Sequence, residues 1–383
     1  MGRWLRAAFL VGVLLALAFV TVRPFRIAVL TLAVTPELLD SGPRVLSAIV
    51  SAPKRITVEY GPASSPDLMD LYLPRDGAAQ RPAMLLVLGV HPVPRDHPAV
   101  VRVAEALARL GIVVAVPESA AMKAGAIRPA EPGGLVAAFE VVAARPEVDA
   151  RRIGFAGFSV GGSVALIAAA DPRIADRLAY VNAFGAYADA SAYLVEIVTR
   201  SMVVDGRPIP WLPGELTRTT YLELVLGFLP DRPTRQRLRD RLAPAFRGPD
   251  PPRALYDETF AATLDRDALA VYRLSTAASA REARAALDEL SPGARATLAQ
   301  LSPVTFAADL RAPIFLMHDE ADDAIPFAQL DRLVKAIPAR LLQRVTAFRL
   351  FEHVQPRRGL DPGALPEIWK LFWHLHAALD RAL

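Results

Sequence analysis

Continuous apolar runs alternate with helically periodic stretches in two parts of the chain, residues 55–190 and 310–383. "RITVEY" (55–60) and "LMDLYLP" (68–74) flank the turn-rich "GPASSPD" and predict an antiparallel hairpin. "AMLLVLGV" (83–90) and "IVVAVP" (112–117) are apolar throughout, as strands covered on both faces should be. Between them "PAVVRVAEALARLG" (98–111) repeats at helical spacing and stops at Gly111. A helix over "GGLVAAFEVVAARPEVD" ending before Pro146, a strand in "RRIGFAG", a helix at 161–170 and a strand at 178–186 continue the alternation. This rhythm predicts an α/β protein with a mostly parallel, doubly wound sheet.

The rhythm breaks at about Ser191. As far as Ala308 the pattern is helical, interrupted by proline-rich stretches such as "GRPIPWLPGE" and "RGPDPPRAL". Strand–helix alternation returns with "APIFLMHDEADDAIP" (312–326), a helix near 327–337, a strand "VTAFRLFEH" (345–353) and the amphipathic "PEIWKLFWHLHAALDRAL". The expected organisation is an N-terminal segment (1–35), a first core part (36–190), an inserted helical cap (191–308) and a second core part (309–383).

The N-terminal segment opens with Arg3 and Arg6, then "AAFLVGVLLALAFVTV", then Arg23 and Arg26. The uncharged run is short for a bilayer but feasible with snorkelling arginines, so the expectation is a membrane-spanning anchor with an extracytoplasmic catalytic domain. A cleaved secretory signal and a buried or interfacial helix are the alternatives. A second apolar run, "IAVLTLAV" (27–34), follows it.

Composition narrows the chemistry. With no cysteine, disulfides, thiolate metal sites and a cysteine nucleophile are unavailable. The net charge of +4 comes from arginine, since Lys54, Lys123, Lys335 and Lys370 are the only lysines. No aromatic-interleaved basic stripe accompanies it, which argues against a nucleic-acid partner. The arginine-rich "DRPTRQRLRDRLAPAFR" (231–247) reads as a solvated helix face, with anionic lipid headgroups as the sharper alternative.

Residues 157–161 spell Gly-Phe-Ser-Val-Gly where a strand meets a helix. A serine on such a strained turn projects its hydroxyl while the helix start favours developing negative charge. Ser159 is therefore the candidate nucleophile. It needs a base, and the base an orienting acid. Of six histidines, His353 alone closes a late strand before a loop. His374 and His376 fall on the last helix, where packing or solvation is expected. His91 and His97 border the expected cleft, and His318 is expected to be a strand-end structural residue. "HDEADDAIP" supplies Asp319, Glu320, Asp322 and Asp323 as possible acids.

These residues and their order resemble the α/β-hydrolase superfamily, in particular its dienelactone-hydrolase-like and prolyl-oligopeptidase-like serine esterases. The resemblance covers about residues 55–190 and 310–383. It implies the pattern H-G-x-x-D-x-x-V-P around the acid. With His318 and Pro326 at its ends, Asp322 falls on the acid position and Asp323 is second; Asp319 stands where the pattern has glycine. It also implies an oxyanion hole from two backbone N–H groups. Val160, after the nucleophile, supplies one. The other comes from the loop "LGVHPVPRDHP", where Pro92 has no N–H and Val90 is preferred to His91.

The expectation is a serine hydrolase acting on a small-molecule ester or acyl substrate through an acyl-enzyme, without metal or organic cofactor. Acyltransferase, thioesterase and peptidase chemistry use the same triad, and a non-catalytic binding module is the alternative of a different class. The apolar "WLPGELTRTTYLELVLGFLP" forms either the cap's own core or an acyl pocket.

Overall fold

A computed structural model describes residues 2–75, 77, 80–90, 93–204, 206–248, 252–357 and 362–383. Its principal sheet has eight strands: β1 (Lys54–Tyr60), β2 (Asp67–Leu73), β3 (Arg81–Val87), β4 (Val113–Glu118), β5 (Val148–Phe158), β6 (Leu178–Phe184), β7 (Ile314–Asp319) and β8 (Leu342–Phe348). Their spatial order is β1-β2-β4-β3-β5-β6-β7-β8. β2 pairs antiparallel with both neighbours, and every other pairing beyond the first hairpin is parallel. The central strand β3 is buried along its whole length because helices cover both faces, which explains its lack of alternation.

On one face pack α3 (Pro98–Arg109), α2 (Arg23–Leu38) and the C-terminal α13 (Leu365–Ala382), through Ile27, Val34, Leu107 and Leu379. The other face carries α4 (Glu131–Ala143), α5 (Val160–Ala168) and α12 (Ala328–Ala336), through Phe139, Val164 and Leu330. The helical insertion between β6 and β7 contains α6 (Ala190–Thr199), α7 (Glu215–Leu226), α8 (Arg232–Arg247), α9 (Arg266–Ser275), α10 (Ala280–Glu289) and α11 (Pro292–Gln300). It is not purely helical: Ser201–Val204 and Arg207–Pro210 form a small hairpin within what reads as a proline-rich interruption. The edge position suits Pro208 and Pro210, which lack an N–H to donate. Tyr221, Leu222 and Leu242 are buried in the insertion, so part of its apolar stretch is its own core.

The N-terminus departs from the expected anchor. Among the described residues no single helix is long and apolar enough to cross a membrane. Leu10–Thr21, the latter half of α1 (Gly2–Thr21), meets that test only together with α2, and the two are bent by 103°. The run 27–34 is partly covered by protein. Ile27, Thr31 and Val34 are buried against the sheet layer, because their i, i+4, i+7 spacing makes one apolar stripe. α1 by contrast leaves Leu10, Leu14 and Leu17 exposed.

His374 is fully buried on α13, as a packing role requires, with Nδ1 2.9 Å from the Thr346 hydroxyl and Nε2 2.8 Å from Asn182 Oδ1. Burial, aided by the charge of Arg344, pushes its imidazole down to about 3. A base with a depressed folded pKa binds its proton first in the unfolded chain. Stability therefore falls as pH drops from about 6.5 towards 3, by at most about 1.4 kcal/mol per pH unit. Buried His318 adds in the same direction. Urea unfolding at neutral and mildly acidic pH should show a shallower loss in His374→Gln; identical slopes would remove His374 from the account.

Candidate active site

The sharp turn at Ser159 is dictated by its glycines. Ser159 has φ +57°, a left-handed conformation that non-glycine residues seldom hold. A Cβ on Gly157 would lie 2.5 Å from the Gly162 Cα, and one on Gly161 would lie 2.3 Å from the Val87 carbonyl oxygen. The chain can double back from β5 into α5 only because both side chains are absent. The Ser159 N–H donates to the Phe184 carbonyl at 2.7 Å, tying the turn to the end of β6. Its hydroxyl makes no capping bond to α5 and stays available.

Gly89, after β3, brings the second loop against the turn: a Cβ there would be 2.8 Å from Ser159 Cβ. Val90 and Val160, the two candidate oxyanion donors, are buried and line the same cavity as Ser159. His91 lies outside the described residues. His97 caps α3 through its side chain, accepting from the Ala99 N–H at 3.3 Å, and also borders the cavity.

Asp322 and His353 meet. His353 Nδ1 lies 2.7 and 2.9 Å from the two oxygens of the Asp322 carboxylate. A carboxylate only accepts, so Nδ1 carries the proton and Nε2 is left as the basic nitrogen. Burial by itself would raise the Asp322 carboxyl. The charge and hydrogen bond of His353, with the Ile325 N–H, hold it below the ordinary aspartate value. Asp323 is exposed and faces the cavity instead, and desolvation of its carboxyl together with the Asp322 charge raises it. The structure thus separates the two candidate acids that adjacent sequence positions leave open. His353 does not close β8. That strand ends at Phe348, and a short hairpin, Phe351–Glu352 with Gln355–Pro356, carries His353 at its turn with φ +57°.

Ser159, His353 and the Val90 loop all line one cavity of about 1260 Å³. No hydrogen bond joins Ser159 Oγ to His353 among the described residues; such contacts tighten when substrate binds. The cavity exceeds the usual 300–1,000 Å³ of small-molecule pockets. Leu194, Ile197, Tyr221 and Leu224 of the helical insertion supply much of its apolar wall.

Five further residues support this pair. Gly185, at φ +62°, lets the pair close in: a Cβ there would sit 3.3 Å from both Asp322 Oδ2 and His353 Cε1. From the insertion, Trp211 Nε1 donates to the Asp322 carbonyl at 2.7 Å and the Gly214 N–H to that of Asp323 at 2.7 Å. His318, whose position the sequence reads as structural, sets its Nε2 2.9 Å from the Ile325 carbonyl and steadies the acid loop from beneath.

Asp319 is the fifth. It is fully buried, and its carboxylate accepts from the N–H groups of Ala321 (2.9 Å), Leu350 (2.7 Å) and Phe351 (2.7 Å). One side chain therefore joins the loop of the acid to the loop of the histidine. Asp319→Asn replaces an acceptor oxygen with a donor and sets it against those N–H groups. A misplacement of about 1 Å in such a site costs up to ~10²-fold. The expected result on a chromogenic ester is a fall in kcat with KM nearly unchanged; an unchanged kcat would leave Asp319 a fold residue only.

The chain thus places a serine on the turn between the fifth strand and its helix, a carboxylate after the seventh strand and a histidine after the eighth, along one edge of a mostly parallel eight-stranded sheet. No family model and no curated protein matches the chain. Among solved structures it is similar to a 2,6-dihydroxy-pseudo-oxynicotine hydrolase, at 15% identity over 85% of this chain and 68% of that one, with a TM-score of 0.49. It is also similar to Porphyromonas gingivalis dipeptidyl peptidase 4 (13% identity, 84% of this chain, 35% of that one, TM-score 0.47). A third is a Mycobacterium tuberculosis puromycin-hydrolyzing peptidase (12%, 85% and 38%, TM-score 0.48). The chain spans little more than a third of the length of these two peptidases.

Proposed function

We propose that the protein is a serine hydrolase that cleaves an ester of a bulky apolar acyl group. The observation that carries this reading is the Asp322–His353 contact opening onto the same large cavity as Ser159. In the proposed reaction His353 Nε2 takes the Ser159 proton as Oγ attacks the carbonyl carbon. The Val160 and Val90 N–H groups face the oxyanion, and the His353 proton passes to the leaving alcohol as the C–O bond breaks. Water, activated by the same nitrogen, then releases the acid. Asp322 keeps the imidazole in the working tautomer and stabilises its charge. Attachment to a membrane through α1 is part of the proposal, supported by the exposure of its apolar side chains.

The apolar wall supports the acyl assignment. Each methylene buried from water is worth about 0.8 kcal/mol, roughly fourfold in kcat/KM. Nitrophenyl esters from acetate to laurate should therefore give a rising kcat/KM until the wall is filled. A peptidase reading draws on one other observation, the acidic side chains of Asp323 and Glu352 lining the cavity beside His353, which suit an amine-bearing substrate. Faster cleavage of aminoacyl anilides than of any ester would favour it over the ester reading.

A further inference from the structure

Two tryptophans outside the cavity lining are exposed. Trp369 and Trp373 on α13 are 60% and 38% exposed, and their rings meet edge to face at 5.4 Å. Helical spacing places Leu365, Trp369, Trp373, His376 and Asp380 on one stripe of α13, and Leu365 is exposed as well. The C-terminal end of that stripe holds the start of α2, where α1 ends. Asp380 Oδ1 accepts from Arg23 Nε at 2.8 Å, and His376 Nε2 lies 3.5 Å from the Pro24 carbonyl oxygen. The Trp373 and His376 rings are 5.3 Å apart, so the aromatic face reaches the junction of α1 and α2.

Every residue from Leu10 to Leu17 is exposed, which is more than two helical turns with no side covered. A groove in a partner protein covers one stripe of a helix. An apolar helix bare on all sides is matched by lipid. Trp4, 84% exposed, marks the far end, and from it to Thr21 the helix rises about 26 Å at 1.5 Å per residue. That approaches the ~30 Å of a hydrocarbon core. Tryptophan rings and arginine heads settle at the headgroup level, and Arg23 with the Trp369–Trp373 face stands at the other end of α1.

We infer that the Trp369–Trp373 face is an interfacial docking surface for the same lipid bilayer that receives α1. The inference rests on the attachment proposed above and adds a second point of contact. One point would leave the body free to swing about the 103° bend between α1 and α2. Two points fix it. The residues that follow α2, Leu39 to Ser41, form part of the cavity's rim, so docking also fixes how the cavity stands relative to the lipid.

The test uses the full chain carrying Trp4→Phe, bound to phosphatidylcholine vesicles with and without phosphatidylglycerol. Flotation reads attachment, and quenching by lipids brominated near the headgroup or at mid-chain reads depth. Trp211 is buried and supplies the unquenched background, which a variant also carrying Trp369→Phe and Trp373→Phe measures directly. The expected result is flotation with about twofold stronger quenching by the shallow bromines than by the deep ones, as interfacial tryptophans should give. The quenching should vanish in the triple variant, with flotation kept. Floating protein whose tryptophans stay unquenched would overturn the docking face, leave α1 as the attachment and assign the face to a protein partner. Failure to float overturns both. Fluorophosphonate labelling of the same samples reports on the serine separately, so neither outcome is confused with failure of the catalytic reading.

Discussion

Replacing Ser159 by alanine abolishes covalent labelling and lowers ester turnover by roughly 10⁴- to 10⁶-fold, the range expected when a triad nucleophile is removed and only binding and oxyanion contacts remain. The fold should survive, because the Ser159 side chain makes no capping bond and the turn is held by a backbone bond to Phe184. Alanine tolerates the strained φ no worse than serine, so unfolding midpoints should shift little. Intact-mass analysis after a fluorophosphonate probe checks this. A single adduct on the wild type, absent from Ser159→Ala, is the expected pair of results. Equal labelling of both would place the reactive group elsewhere; no labelling of a folded wild type would count against an activated serine.

Asp322→Asn should cost about 10⁴-fold in kcat while leaving the loop intact. Asparagine keeps the oxygen that accepts from the N–H groups of Ala324 (2.7 Å) and Ile325 (2.8 Å). What it changes is the face towards His353. An amide N–H aimed at Nδ1 forces that nitrogen to accept, moves the proton to Nε2 and removes the base. The same substitution has a stability signature. Asp322 is held below the ordinary aspartate value in the folded chain, so the stabilisation is complete above the unfolded value of about 3.9 and fades as pH falls through the lower folded one. Denaturation curves of wild type and variant should therefore differ most at neutral pH and converge in strong acid. A constant difference across that range would mean that the carboxylate charge contributes nothing.

Both results depend on partners that the sequence discloses unequally. The serine is legible because its chemistry and its backbone requirement coincide. Gly157 and Gly161 are there to let β5 fold onto α5, and the same turn exposes the hydroxyl. The histidine is legible by order along the chain, although its strand ends earlier than the apolar run suggests. Leu350 and Phe351 extend that run, but Leu350 lies past the end of β8 and Phe351 belongs to the short hairpin rather than to the sheet. The acid is harder. Asp322 and Asp323 are neighbours with the same chemistry, and only the course of the loop turns one inward and the other to the cavity.

Of the supporting residues only His318 is legible, as a strand-end structural residue. Asp319 breaks the pattern of the hydrolases that the chain resembles, yet its carboxylate joins two loops that are about thirty residues apart in sequence. Trp211 belongs to a proline-rich stretch with no periodicity, and its ring reaches the acid loop because the insertion folds back over the sheet. Apolar pattern alone does not tell the runs 7–22 and 27–34 apart, yet Leu10 to Leu17 are exposed whereas Ile27, Thr31 and Val34 are buried.

By itself, then, the sequence determined the alternation of strands and helices, the interruption after β6, and the order in which the candidate serine, acid and histidine fall along the chain. Each of these is a local property, set by side-chain period or by a backbone conformation that only certain residues permit. Tertiary structure decided which aspartate meets the histidine, which apolar helix is buried, and how the helical insertion closes the cavity and braces the acid loop. Those depend on contacts between residues far apart in the chain, and residue order carries no distance until the sheet has formed.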